Sequence, residues 1–211
     1  MFAPTEKSKN NLINENINEN KIFVVGNTIV DAVYQNLKHP SGILNKLNIN
    51  NNEYILITIH RQENVDNKER LYNILKGLYR IYEHYSIPIV YPIHPRTKKM
   101  IKKFNLYIPK YIKIIEPVGF FDFLQLEKNA SIILTDSGGV QEEACILKVP
   151  CITLRYNTER PETIDIGANI LVGTDEKQIF NGFKKMINKK RNWINPFGNG
   201  KSSKKIIELI T

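Results

Sequence analysis

Cysteines are few in this 211-residue sequence and long apolar runs are missing altogether. No stretch approaches the ~20 apolar residues that span a bilayer, and the opening MFAPTEKSKN lacks the apolar core of a secretory leader. These absences predict a cytoplasmic protein with no membrane partner. Only Cys145 and Cys151 are present. Two cysteines are too few for a disulfide framework, and no set of neighbouring ligands makes a zinc site around them. Both are read as reduced core residues, and neither a metal nor another cofactor is expected.

Charge is one-sided, with a formal net charge of +9. Such a balance suits an acidic partner: nucleic acid, a membrane surface or a phosphorylated small molecule. The lysines, however, are scattered among Asn and Ile in KKMIKKF and FKKMINKKRNW, the pattern of solvated helix faces. There is no aromatic-rich basic ribbon and no recognised nucleic-acid motif, so nucleic acid is not an expected partner. With 42% hydrophobic and 24% charged residues the composition is that of a globular protein. The length permits one large domain or one domain with appendages, and would cramp a complete two-domain enzyme.

After a polar, helical start, Lys21 to Val25 reads as a strand and is followed by a Gly26-Asn27 turn and a short helix through Val33 and Leu37. HPSGILNKLNINNNE reads as a connector ending in the Asn50 to Asn52 run. Strand-like segments then recur at 54–59, 88–91, 112–115, 131–134, 151–154 and 169–172. Helical patterns separate them, clearest in the stripe Leu71, Ile74, Leu75, Leu78, Ile81, Tyr82 and Tyr85. This βαβα alternation predicts an α/β fold with a Rossmann-like, doubly wound parallel sheet. Ligands of such folds sit beyond the carboxyl ends of the strands. The loops there are His60 to Asn64, His94-Pro95-Arg96, Glu116-Pro117-Val118, Asp136 to Gly139 and Arg155 to Arg160.

In LTDSGGVQEEA an apolar strand meets an acid, a hydroxyl and two glycines before a helix begins with Glu142 and Glu143. Two successive glycines let the backbone bend and let a ligand approach the helix-start amides, which suits a phosphate. An ordinary βα turn capped by Ser137 or Asp136 accounts for the same residues equally well. The gathering of Arg61, Arg96, Arg155 and Arg160 with those amides on one edge favours a diphosphate, and Glu142 and Glu143 offer acceptors to sugar hydroxyls. Together they point to a nucleotide.

TIHRQENVDN, YPIHPRTKK, LTDSGGVQEEA and LRYNTERPETIDIGANILVGTD, in that order and ending in NPFGNGKSSKKIIELI, closely resemble the non-hydrolysing UDP-N-acetylglucosamine 2-epimerases. HRQENVDN with HPRTKK is most similar to their archaeal branch, and the resemblance covers nearly the whole chain. It implies the C-terminal domain of a glycosyltransferase-B-like fold. The activity implied is interconversion of UDP-N-acetylglucosamine (UDP-GlcNAc) and UDP-N-acetylmannosamine (UDP-ManNAc), by elimination of UDP to a 2-acetamidoglucal and its re-addition. Implied roles are a diphosphate-facing catalytic His60, phosphate contacts from Arg61, Ser137, Gly138, Gly139 and Arg160, a ribose contact from Glu143, and Phe123 beside uracil. Val118 stands where many bacterial members carry a uracil-contacting glutamine.

The family's preceding α/β domain, which supplies the carboxylates that handle the C2 proton, has no counterpart in this sequence. Residues 1–52 are therefore expected to be the end of that domain and a connector, and 53–211 the UDP-binding domain with its C-terminal helix. A split gene, a truncation and an isolated domain each fit. The expected partners are the UDP-sugar and either further copies of the chain or a complementary N-terminal half. Neither Glu63 nor Asp136 is assigned as the C2 base, and Glu63 is read as a loop-ordering residue. A UDP-dependent glycosyltransferase domain and a non-catalytic nucleotide-binding module are the alternatives.

Overall fold

A computed structural model describes residues 1–211, which form two compact units: Met1–Pro40 with Ile194–Thr211, and Ser41–Trp193. In the smaller unit β1 (Phe2–Ala3) pairs in parallel with β2 (Phe23–Val24), and helices α1 (Glu6–Asn14) and α2 (Thr28–Asn36) follow the two strands. The last helix of the chain, α11 (Ser202–Ile210), joins them because Asp31 of α2 caps it. The Asp31 carboxylate accepts from the amides of Ser202 at 3.1 Å and Ser203 at 3.0 Å, satisfying donors that a helix start leaves open. Gly26, at φ +88°, has no room for a side chain: a Cβ there would lie 2.9 Å from the Phe197 carbonyl oxygen.

These units divide the chain differently from the expected boundary at residues 52 and 53. The connector residues from Ser41 onward belong to the larger unit, and the final helix to the smaller one. The connector also folds a short helix, α3 (Ile43–Leu47), whose Ile43 and Leu47 are buried.

The larger unit holds a six-stranded, all-parallel sheet. Its strands are β3 (Ile55–Thr58), β4 (Ile89–Pro92), β5 (Ile112–Ile115), β6 (Ile132–Thr135), β7 (Cys151–Thr153) and β8 (Asn169–Leu171). Each falls within one residue of an apolar run in the sequence. Between and after them come α4 (Gln62–Val65), α5 (Lys68–Tyr85), α6 (Pro95–Lys103), α7 (Phe120–Lys128), α8 (Gly138–Ile146), α9 (Pro161–Asp165) and α10 (Glu176–Met186). The order across the sheet is β5-β4-β3-β6-β7-β8, so the winding reverses between β3 and β6. That is the Rossmann order, and the reversal opens a crevice at the carboxyl ends of those two strands.

Alternation along β3 supplies a core on each face of the sheet. Ile55, Ile57 and Ile59 cluster with Leu71, Ile74 and Leu78 of α5 and with Ile179 and Phe183 of α10. Tyr54 and Leu56 cluster instead with Leu126 of α7 and with Val140 and Ala144 of α8. No helix is long and apolar enough to cross a membrane.

Candidate functional site

At the crevice the two central strands are joined side chain to side chain, Thr58 Oγ1 lying 2.6 Å from Thr135 Oγ1. One residue beyond β6, Asp136 is fully buried and its carboxylate collects the donors of the loop after β3. The His60 amide donates to it at 3.0 Å, the Arg61 amide at 3.0 Å and Asn64 Nδ2 at 3.1 Å. Arg61 Nε donates to the Asp136 carbonyl oxygen at 3.2 Å. A buried carboxylate surrounded by donors holds its loop in one geometry, so Asp136 sets the position of the whole HRQEN segment.

His60 Nδ1 lies 3.3 Å from Asp136 Oδ1. Nδ1 is the ring nitrogen nearer that carboxylate, which leaves Nε2 for a ligand. Burial lowers the His60 pKa below the usual histidine range; the charge of Asp136 opposes this, and His94 and Arg61 reinforce it. The imidazole is therefore neutral at neutral pH until an anion arrives. His94, 5.9 Å away ring to ring, accepts from the Arg96 amide through Nδ1 at 3.1 Å and caps α6. It orders its loop.

A cavity of about 200 Å³ opens beside His60, lined by His60, His94, Pro117, Val118, Phe123 and Val140 among others. His60 and Phe123, far apart in sequence, thus line one cavity. Neither Glu143 nor Arg160 lines this cavity.

The SGG turn opens α8 with Ser137 at the N-cap position and no side-chain capping bond. Its first amides have no intrahelical partner, as at any helix start, and the helix dipole favours an anion there. Space over Gly138 is bounded by two charges of opposite sign. A Cβ on Gly138 would be 3.5 Å from Glu159 Oε2 and 3.9 Å from Arg61 Nη2. Glu159 in turn accepts from Arg155 Nη1 at 2.8 Å, and Arg155 Nε donates to Glu63 Oε1 at 2.9 Å. The bonds from Arg155 lower the Glu159 pKa to about 2 against a smaller effect of burial.

Arg160 and Glu143 are placed on the flank of α8. The Arg160 guanidinium forms an ion pair with Glu142, Nε to Oε1 at 2.7 Å, so Glu142 is committed to that arginine. Glu143 faces Glu127 of α7. Asp136 and Glu159 are the residues whose structural part in the site the sequence conceals.

Sheet order and site together define an α/β domain of the Rossmann-like class whose ligands gather at the switch point. The chain belongs to the UDP-N-acetylglucosamine 2-epimerase family, whose model matches residues 1–211. It is 60% identical to the UDP-N-acetylglucosamine 2-epimerase of Methanocaldococcus jannaschii, over 100% of this chain and 60% of that protein. The crystal structure of the M. jannaschii enzyme in complex with UDP-GlcNAc and UDP superimposes with a TM-score of 0.92, covering 100% of this chain and 60% of that one. The Neisseria meningitidis enzyme bound to UDP-GlcNAc, 36% identical, gives a TM-score of 0.87 over 99% of this chain and 60% of its own. The chain spans about 60% of the length of the curated relatives it matches.

Proposed function

We propose that this chain is the nucleotide-binding part of an enzyme that interconverts UDP-GlcNAc and UDP-ManNAc, with UDP leaving and returning at this sheet edge. The observation that carries the reading is the His60–Asp136 contact, beside a cavity that Phe123 shares. As UDP leaves, negative charge builds on its diphosphate, and a donor fixed there lowers the barrier. His60 Nε2, backed by the buried Asp136 carboxylate, is that donor. The α8 amides with Ser137, Gly138 and Gly139 take the phosphates, Arg61 and Arg160 neutralise them, Glu143 takes the ribose and Phe123 flanks the uracil. The complexes of the M. jannaschii and N. meningitidis relatives with UDP-GlcNAc support the ligand class.

No carboxylate of this edge is assigned as the base that removes the C2 proton. Glu63 is bonded to Arg155, and Asp136 is buried under its donors. The base comes from a second α/β domain, in the same polypeptide or in a partner, and the reaction is placed in the cytoplasm. The test is epimerisation of UDP-GlcNAc in deuterated water, by this chain alone and with that domain supplied. Deuterium at C2 of both epimers is expected only when the two are combined. Transfer of the sugar to an added acceptor would instead establish a glycosyltransferase.

A further inference from the structure

Gln141, Thr153, Thr163 and Asn169 are fully buried, and side-chain hydrogen bonds join these four polar residues into one chain. Thr153 Oγ1 of β7 donates to Asn169 Oδ1 at 2.9 Å. Asn169 Nδ2, at the start of β8, donates to Gln141 Oε1 of α8 at 3.2 Å and to Thr163 Oγ1 of α9 at 3.1 Å. Two hydroxyls carry the chain on to Arg160. Thr163 Oγ1 donates to the Arg160 carbonyl oxygen at 2.8 Å. Thr158 Oγ1 donates to Gln141 Oε1 at 2.6 Å and accepts from the Arg160 amide at 3.0 Å. The main chain of Arg160 is held on both sides by hydroxyls that lead back to α8 and β8.

Packing alone does not account for this arrangement. Gln141 Nε2 is buried without a hydrogen-bond partner, a deficit that an apolar side chain of similar size would avoid. What Gln141 supplies is one acceptor oxygen, shared by Thr158 and Asn169. The helix that carries it begins at Gly138, and Glu142, whose Oε1 lies 2.7 Å from Arg160 Nε, comes one turn after that glycine. Arg160 is therefore tied to α8 twice, through Thr158 to Gln141 and through its own guanidinium to Glu142.

We propose that Thr158, anchored by Gln141 and Asn169, is a positioning residue for diphosphate binding: its hydroxyl seats Arg160 in register with the SGG turn, so that the guanidinium and the α8 amides meet one ligand together. This rests on the reading of Arg160 as a phosphate contact. A cation set in place beforehand spares the ligand the cost of ordering a long side chain and its loop, and an arginine on an unanchored loop gives back part of what its charge-assisted bonds contribute.

The experiment measures UDP binding by calorimetry, and hydrogen exchange of the amide at residue 160, in the wild-type chain and five variants: Thr158→Val, Thr158→Ser, Gln141→Met, Arg160→Ala and Thr158→Val combined with Arg160→Ala. Thr158→Val keeps the shape of a half-buried loop residue and removes its hydroxyl. It is expected to weaken UDP ~3- to 10-fold, the worth of one hydrogen bond, and to speed exchange of the Arg160 amide. Gln141→Met removes the acceptor from the helix side and has the same two effects. Thr158→Ser, which keeps the hydroxyl, behaves as the wild type. Arg160→Ala weakens UDP by ~10-fold or more, and in that background Thr158→Val costs nothing further. An equal loss from Thr158→Val with and without the arginine side chain marks a merely structural role and overturns the proposal. Wild-type affinity in a Thr158→Val whose residue 160 amide exchanges faster overturns it as well. Unchanged UDP affinity in Arg160→Ala overturns the reading of Arg160 as a phosphate contact instead, and leaves the seat measured by exchange standing.

Discussion

Nδ1 of His60 stands 3.3 Å from Oδ1 of Asp136, a carboxylate that also holds the amides of His60 and Arg61 and the side chain of Asn64. One acid therefore does two things: it orients the imidazole and it closes the loop around it. The two contributions separate by mutation. Asp136→Ala leaves buried donors unpaired and is expected to lower stability by ~2 to 4 kcal/mol in urea unfolding. His60→Ala removes only a half-exposed ring and should stay within ~1 kcal/mol of the wild type. In the assembled enzyme His60→Ala is expected to slow epimerisation by ~10² to 10³ while UDP binding changes little. His94→Ala, which removes a helix cap, should cost far less turnover.

Binding of UDP is expected to draw a proton onto His60. Burial holds the free imidazole below the ordinary histidine pKa, and an adjacent diphosphate raises it, so the complex binds more protons at that site than the free protein. By linkage, the contribution of His60 to affinity grows as pH falls from ~8 toward ~6. Calorimetry in buffers of different ionisation heat measures the uptake. It should exceed that of His60→Ala by a fraction of a proton at pH ~7, and equal uptake in the two proteins would sink the assignment.

Glu159 holds the ground that the proposed phosphates need. Its carboxylate lies against Gly138 and 3.9 Å from Arg61 Nη2, so an incoming anion must share or displace it. Glu159→Gln is expected to strengthen binding of UDP and of pyrophosphate several-fold at low ionic strength, with the gain shrinking as salt screens the charges. Unchanged affinity would mean that the loop moves aside at no cost.

The same residue governs part of the acid limb of the stability curve. The Glu159 carboxyl titrates near 2 in the folded protein, chiefly through its bonds from Arg155, and near ~4.3 when unfolded. A lowered pKa contributes stability above the unfolded value, and that stability is lost as pH falls from ~4.3 toward 2. Thermal melts of Glu159→Gln should accordingly be flatter over that window than those of the wild type and parallel to them above pH ~5.

Gly77 of α5 tests how closely the helices of one face approach. A Cβ there would fall 2.9 Å from Ile179 Cγ2 and 3.0 Å from Ile179 Cβ on α10. Alanine gains ~1 kcal/mol of helix propensity, but overpacking typically costs ~1 to 3 kcal/mol. Since the obstructing atoms include the branch point of Ile179 rather than a flexible end, the clash is expected to win. Gly77→Ala should be mildly destabilised in urea and Gly77→Leu severely so.

Ile207 and Ile210 of α11 are 57% and 69% exposed. They are expected to drive concentration-dependent association of the chain or capture of the domain that supplies the base. Sedimentation showing a monomer at every concentration, with and without that domain, would count against both.

The strands were legible because each is a short, mainly apolar run, buried throughout in β3, β6 and β7, and even the edge strand Ile112–Ile115 coincides with its sequence assignment to the residue. Strand β1 was not, since two residues carry no period and Phe2–Ala3 is a strand only by pairing with Phe23–Val24. Helix α3 was hidden by the asparagines around it. At the candidate site, the His60 loop and the SGG turn lie directly after β3 and β6, where the strand pattern puts them. Asp136 looked like a cap because its partners lie some 76 residues earlier, and Glu159 looked like one charge among several in RYNTER. Their roles arise from contacts that local spacing does not encode.

The distance in sequence between Asp136 and His60 also sets when the site comes into existence. Closing a contact across 76 residues carries a loop entropy that only the packing of β3 against β6 repays. During synthesis the HRQEN loop leaves the ribosome long before its anchoring carboxylate does. This edge of the sheet is thus organised only once β6 has paired with β3, and a chain arrested before β6 would carry His60 and Arg61 without a place for either.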